Sequence, residues 1–189
     1  ALKLKNDQNT RENLELVKVD KQQAFNWTKK AYENGNLEAM EEYADLLSDR
    51  ECTFCETNIE LAMSIYEKCI ALGSSRAAFN LGLEYRNKQN FERAFQLYTQ
   101  SEQFEEPIRN LNIGLCYYYG IGIQKDRRKS LEIFKVIKAP FCTGYEIDEA
   151  NYMIGKIYLE GEVVEQSLDT ARYYLELADA EGDHRSAQE

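Results

Sequence analysis

The sequence of 189 residues predicts an all-α fold, a right-handed superhelix (solenoid) of four to five antiparallel helical hairpins. Three observations predict this class: a glycine–tyrosine motif that recurs along the chain, a second helical pattern that alternates with it, and a constant interval between the two. With two prolines and ten glycines, the chain also has too little turn chemistry for an all-β fold with many hairpins.

The glycine–tyrosine motif is an aliphatic residue and a glycine, followed three positions later by a tyrosine. It occurs in NLGLEYRN (80–87), NIGLCYYYGIG (112–122) and MIGKIYLEGE (153–162). A weaker copy, YADLL (43–47), has Ala44 in place of the glycine and Leu47 in place of the tyrosine. We expect the glycine to let two helix backbones approach closely and the tyrosine, one turn later, to pack across the pair.

The second pattern is a small residue with large apolar residues three and four positions further on, which is the spacing of one face of an α-helix. It occurs in AFNWTKKA (24–31), AMSIYEKC (62–69), AFQLYTQS (94–101), SLEIFKVI (130–137) and ARYYLELA (171–178). Gly35, Gly73 and Gly182 each follow a leading alanine by 11 residues, where a helix needs a left-handed C-terminal cap.

The interval between the two patterns predicts how the helices are arranged. From Ala24 to Ala44, from Ala62 to Gly82 and from Ala94 to Gly114 it is 20 residues each time, whereas the reverse interval varies between 12 and 18. The packing between successive hairpins is therefore constant, and the loop inside each hairpin tolerates insertions. One interval is longer, and its excess falls in PFCTGYEID (140–148), which we predict to be a surface loop.

The combined pattern resembles the Sel-one-like repeat, a relative of the tetratricopeptide repeat, from about residue 21 to about residue 183. The resemblance implies a repeat domain over 21–183, an N-terminal extension or capping segment over 1–20, and the start of a C-terminal cap or further repeat over 184–189. It also implies an adaptor without an active site. In bacteria such proteins often act at the host interface or in envelope signalling, and some neutralise secreted toxins.

By analogy with the tetratricopeptide repeat, three positions of each first helix point into a concave groove: three before, one after and four after the motif glycine. They are Glu41, Asp45 and Ser48, then Phe79, Leu83 and Arg86, then Leu111, Leu115 and Tyr118, then Tyr152, Lys156 and Leu159. The first set is acidic and the later three are largely apolar, so an exposed ladder here is a candidate protein-binding surface. The alternative is that Phe79 and Tyr152 belong to the core.

The formal net charge of −10 is unevenly distributed. Residues 36–73 carry nine acids and two cations (−7), residues 142–189 carry twelve acids and three cations (−9), and residues 106–141 carry three acids and seven cations (+4). This balance argues against general nucleic-acid binding, which needs clustered cations. It is compatible with a basic protein partner, or simply with solubility.

No apolar run is long enough to span a membrane, and the start at Ala1 is compatible with a removed signal peptide.

Residues that carry catalytic or metal chemistry are few. CTFC, from Cys52 to Cys55, has the spacing of a redox motif or half a zinc site, but a second pair is missing and the single histidine, His184, lies far along the chain. We therefore expect a structural disulfide or two inert thiols. One histidine offers no nucleophile–base set, and GIG (120–122) lacks the lysine of a phosphate loop. The sequence predicts no enzyme, no cofactor and no metal site.

The function predicted from the sequence is a non-catalytic scaffold or adaptor that binds a peptide or helix of another protein in its concave groove. The alternative is an inhibitor, such as an immunity protein, that neutralises a toxin or effector through its acidic surface and loops. A thiol enzyme at Cys52 and Cys55 is the third hypothesis. The sequence leaves the compartment and the oligomeric state open.

Overall fold

A computed structural model describes residues 21–102, 110–138 and 142–180, and the segments predicted over 1–20 and 184–189, with Gly182, lie outside them. All regular structure in the described residues is helical, which confirms the all-α class. The helices are α1 (described over 21–33), α2 (Leu37–Ser48), α3 (Ile59–Ala71), α4 (Ser75–Asn87), α5 (Phe91–Glu102), α6 (Asn110–Tyr119), α7 (Arg127–Phe134), α8 (Gly144–Glu160) and α9 (Leu168–Ala178).

Most of these helices begin at a short polar residue whose side chain accepts a hydrogen bond from the first turn. Such a residue satisfies one backbone N–H that has no partner within the helix. The capping residues are Asn36, Asn58, Ser74, Asn90, Asp126, Thr143 and Ser167. Local sequence therefore fixes where these seven helices start, before any tertiary contact is considered.

Each hairpin is closed by the same backbone hydrogen bond. The N–H of the residue that caps the second helix donates to the carbonyl of the residue three positions after the motif glycine. The pairs are Asn58 with Leu47, Asn90 with Tyr85, Asp126 with Tyr117, and Ser167 with Tyr158, at 2.8, 2.8, 2.8 and 3.2 Å. Loops of different length thus place the start of the second helix at the same point beside the first helix. This explains why the interval from one hairpin to the next stays constant although the loops differ in length.

The described residues form two compact units, which divide between Asn80 and Leu81 within α4. In the N-terminal unit α2 packs on α3. Ala44, Ala62, Ile65 and Tyr66 are buried there. The Tyr43 ring, at the start of this packing, stacks on a ring of α1 with centroids 5.0 Å apart.

In the C-terminal unit α6 packs on α7, α8 packs on α9, and α7 also contacts α8. One apolar cluster joins these helices, and its buried members include Tyr118, Phe134, Met153 and Ile157. This cluster supports the surface formed by α6 and α8, the two first helices of their pairs.

The motif glycines make room for a side chain of the second helix. A Cβ at Gly82 would lie 2.7 Å from Cε1 of Tyr98, and a Cβ at Gly114 would lie 2.5 Å from Cε1 of Phe134. At Gly155 the nearest atom is Cγ of Leu175, with the Ala171 carbonyl oxygen at 3.1 Å. The expected backbone approach is present at Gly82 and Gly155, where the carbonyl oxygens of Ala94 and Ala171 lie within 3.4 Å of such a Cβ, but a large side chain four residues after the small residue occupies most of the space.

The loop predicted over 140–148 is wrong in its second half, because α8 begins at Gly144. The Thr143 hydroxyl accepts the N–H of Glu146, and the Glu146 carboxylate accepts the N–H of Thr143 at 2.9 Å. This reciprocal capping box starts the helix early. The extra residues between the patterns therefore lengthen a helix, and the T-x-x-E spacing was the signal for it.

Candidate protein-interaction surface

Two of the predicted groove residues are in the core. Leu111 is 6% exposed and Tyr118 is 1% exposed, and both belong to the apolar cluster of the C-terminal unit. The prediction that they form part of a water-exposed ladder is wrong. The reason is tertiary: α8 lies against this side of α6, and the Tyr118 hydroxyl donates to both carboxylate oxygens of Glu160, at 2.8 and 2.9 Å.

The other predicted positions keep some access to solvent. Phe79, Leu83, Leu115, Tyr152 and Lys156 are half-buried, whereas Arg86 and Leu159 are exposed. Phe79 lies in the N-terminal unit and the rest lie in the C-terminal unit. Leu115 and Tyr152 rest on the core cluster, so the alternative of a core role for Tyr152 holds in part. That any of these residues binds a partner stays a prediction.

Sequence reasoning missed Tyr119, the third tyrosine of the CYYYGIG segment, which is 52% exposed. It lies one turn after Leu115 on α6, and the Lys156 ammonium group of α8 is 5.9 Å from its ring centroid. The same ammonium group is 6.0 Å from the ring of Tyr152. We define the α6–α8 surface as Leu115, Tyr119, Tyr152, Lys156 and Leu159. It combines partly exposed apolar and aromatic area with one cation, as in many protein interfaces.

A partly exposed polar network links α6, α7 and α8 next to this surface. Nη1 of Arg127 lies 2.6 Å from Oε2 of Glu160 and 2.6 Å from Oε2 of Glu162, and its guanidinium lies 4.6 Å from the ring centroid of Tyr118. Burial, and then the hydrogen bond to Glu160, raise the pKa of Tyr118 well above its ordinary value. The phenol therefore stays protonated and donates, which fixes α6 to α8.

One of the two acidic positions predicted in the first set, Asp45, is paired with a cation. The Asp45 carboxylate accepts hydrogen bonds from the Tyr66 hydroxyl and the Asn80 amide, each at 2.7 Å, and forms an ion pair with Arg76. The Ser48 hydroxyl lies 3.1 Å from the Tyr66 hydroxyl. Asp45 and Ser48 thus serve the interior of the N-terminal unit.

Four of the five cysteines are either paired or buried. Cys52 and Cys55 form a disulfide in the loop between α2 and α3, as one of the two sequence alternatives predicted. Burial raises the pKa of the Cys69 and Cys116 thiols to about 11, so both are protonated at neutral pH.

Within 21–102, 110–138 and 142–180, no group of three or more histidine, cysteine or acidic side chains is placed to hold a metal ion. In that same part of the chain, no helix has the length and apolar character of a membrane span.

The helical hairpins recur along the chain. Each is closed by the same backbone hydrogen bond, and at each motif glycine a side chain of the second helix fills the space. These features define a helical-repeat protein. A family model of the Sel1 repeat matches residues 12–36, 75–102, 110–135 and 148–183, more than half of the chain. The chain belongs to the Sel1 repeat family, which confirms the resemblance seen in the motifs. Sel1 repeat proteins are generally scaffolds for protein interactions.

Two crystal structures share the fold. The chain is similar to c5321, a protective antigen of uropathogenic Escherichia coli strains with an SLR fold, with a TM-score of 0.73 and 22% identity over 87% of this chain. It is also similar to a Sel1 repeat protein from Oxalobacter formigenes, with a TM-score of 0.68 and 18% identity over 87% of this chain. The matches cover 35% of the first protein and 66% of the second. No curated protein matches the sequence.

Proposed function

We propose that this protein is a non-catalytic scaffold that binds a segment of another protein on the α6–α8 surface. The observation that carries the proposal is the clustering of Tyr119 and Tyr152 around the ammonium group of Lys156, beside Leu115 and the 45% exposed Leu159. Exposed aromatic side chains with a cation, on rigid helices, offer a large contact area at a low cost in conformational entropy. Family membership supports a role in protein binding.

The surface is preorganised by the polar network next to it. Glu160 is held by Tyr118 from α6 and by Arg127 from α7, so the distance between α6 and α8 is set before a partner arrives. A partner segment that inserts an apolar side chain between Tyr119 and Lys156 would bury area without first ordering the site. We expect a short amphipathic helix or extended segment to fit, as in other helical repeats that offer continuous surfaces.

The test is an affinity pull-down in which the immobilised protein is compared with a Leu115→Glu/Tyr119→Glu variant. Tyr118 is left unchanged because it is buried, and its replacement would disturb the fold. The matched control is Tyr173→Glu/Leu177→Glu on α9, where two exposed apolar residues have the same four-residue spacing. Circular dichroism confirms that all three proteins are helical.

We expect one protein to be captured by the wild type and by the α9 variant and to be lost with the α6 variant, with a loss of affinity of about tenfold or more for two hot-spot residues. Capture that survives the α6 substitutions would contradict the proposal. If that retained binding is very tight and weakens steeply with salt, the inhibitor hypothesis, which relies on acidic surface and loops, takes its place.

A further inference from the structure

We propose a second binding site, a cationic pocket at the mouth of the α6–α7 hairpin, whose ligand is a short acidic segment of a partner protein. The pocket is open, has a volume of about 640 Å³, and lies between the 120–126 loop, the start of α7 and Val163 of the α8–α9 loop. Its charged lining is Lys125, Asp126, Arg127, Arg128 and Lys129. This site goes beyond the α6–α8 surface and shares no residue with it.

The loop that builds the pocket is held in one conformation. Gly122 has a φ of +70°, and a Cβ there would lie 2.0 Å from the Phe91 carbonyl oxygen, so a side chain is excluded on both counts. The N–H groups of Gly120 and Ile121 both donate to the Cys116 carbonyl, at 2.8 and 2.9 Å. The cations therefore lie on a fixed backbone. Binding a ligand should cost little conformational entropy in the loop, because the loop is already ordered.

The cations of the pocket are only partly compensated. Arg127 is committed to Glu160 and Glu162. Arg128 donates one N–H to the Val163 carbonyl at 3.2 Å, which orients its guanidinium and leaves other donors. Among the described residues, neither Lys125 nor Arg128 forms an ion pair with an acid, and both are exposed. A carboxylate can thus be received by the fork of Arg128 with Lys125 beside it.

Charge complementarity is what points to an acidic ligand. Residues 120–138 carry six cations and two acids, a balance of +4. The net charge of the whole chain is −10, so the other residues together carry −14. A local excess of cations in an acidic protein attracts anions to this place. The half-buried Tyr117 and Val163 add apolar lining, which suits a peptide with one apolar side chain among its carboxylates.

A protein segment fits this pocket better than a nucleic acid does. Nucleic-acid binding needs a stripe of cations that follows several phosphates. Here the cationic area is short, and Glu160 and Glu162 at its edge would repel a continuing phosphate backbone.

The experiment measures fluorescence anisotropy of a fluorescein-labelled EELEE peptide with the full chain, and of a QQLQQ peptide as the uncharged control. The variant is Lys125→Glu/Arg128→Glu, with Lys125→Gln/Arg128→Gln as a milder second variant. The matched control is Lys29→Glu/Lys68→Glu, which makes the same change in net charge at two exposed lysines of the N-terminal unit. A fluorescein-labelled single-stranded oligonucleotide tests the competing ligand class.

We expect EELEE to bind more tightly than QQLQQ, and binding to weaken by about tenfold in the Glu variant and less in the Gln variant, while the control variant stays within about twofold. Equal affinity for both peptides, or unchanged binding in both pocket variants, overturns the proposal. Tighter, Lys125-dependent binding of the oligonucleotide overturns it in favour of nucleic acid. Because the α6–α8 surface is untouched in these variants, failure here is distinguishable from failure of the scaffold proposal.

Discussion

Both compact units contain a triad of side chains in which a tyrosine donates to a carboxylate that is paired with an arginine. The two triads connect different helices. In the N-terminal unit, Tyr66 of the second helix α3 reaches Asp45 of its own partner helix α2, with Arg76 of α4 on the other carboxylate oxygen. In the C-terminal unit, Tyr118 of α6 reaches Glu160 of the next first helix, α8. The tyrosine–carboxylate hydrogen bond lies within one hairpin in the first triad and between two hairpins in the second.

The difference follows from the motif glycine. In the α6–α7 pair, Gly114 leaves room for the Phe134 ring, so an apolar contact closes the hairpin and Tyr118 is available for the next repeat. In the α2–α3 pair, the buried Ala44 occupies the glycine position, and Tyr66 is held by its hydroxyl. The family model matches the α6–α7 pair but leaves 37–74 unmatched. A hairpin can thus lose the glycine when a polar contact replaces the apolar one.

The strongest way to break this comparison is to place a side chain at Gly114. Gly114→Val drives two methyl groups into the Phe134 ring, which is fully buried, and we expect a loss of roughly 3 kcal/mol in the free energy of unfolding, at the upper end for overpacking. Urea unfolding followed by circular dichroism measures it.

The control for this prediction is Gly144→Val at the first position of α8, where a Cβ meets nothing within 4 Å. A double variant, Gly114→Val/Phe134→Ala, should be less destabilised than the sum of its single changes, because the clash is gone. Full additivity would show that the ring is not what Gly114 accommodates.

The two triads are compared directly by Tyr66→Phe and Tyr118→Phe. Each change removes one hydroxyl donor from a carboxylate that keeps its arginine, and each should cost about 1–2 kcal/mol. Because the triads share no partner, the costs should add within about 0.5 kcal/mol in the double variant. Urea midpoints at pH 7 test this, and a neutral effect of Tyr66→Phe would contradict the view that the hydroxyl closes the α2–α3 hairpin.

The last effect we expect is a loss of stability that appears only in alkali. Burial raises the pKa of Cys69 and Cys116 to about 11 and that of Tyr98 to about 12, whereas the unfolded thiol titrates near 8.5. Above this lower pKa the unfolded chain binds fewer protons than the folded chain, so the stability falls as pH rises towards 11.

Urea midpoints between pH 8 and pH 11 should therefore decrease in the wild type, and Cys69→Ala/Cys116→Ala should flatten the decrease. The alanine variant starts from a lower stability because it leaves two small cavities, so the slope against pH is compared and not the absolute value. An equal slope in both proteins would mean that the two thiols do not carry the effect.

Much of the fold could be predicted because its signals are local. The small residues Ala62, Ala94 and Ala171 and their apolar partners one turn later mark one helix face, and Asn58, Asn90 and Asp126 mark helix starts. These features depend on a few neighbouring residues only. The start of α8 was missed although Thr143 and Glu146 carry a local signal, since the interval between motifs was attributed to a loop.

The interaction surface was less predictable, and the three tyrosines of α6 show why. Tyr117, Tyr118 and Tyr119 are identical in hydrophobicity, yet they are half-buried, 1% exposed and 52% exposed. Successive residues of a helix point about 100° apart, so each faces a different neighbour. Which tyrosine is buried depends on the position of α8, and the sequence around the tyrosines does not predict that position.

The sequence by itself determined the all-α class, the positions of the hairpins and the constant interval between them, because capping residues, glycines and helical periodicity act over a few residues. The tertiary structure alone decided that Asp45 is neutralised by Arg76 and that Tyr118 is withdrawn into the core. It also decided that Tyr119 is exposed beside Lys156. The physical reason is that burial and ion pairing depend on contacts between helices that are far apart in the chain.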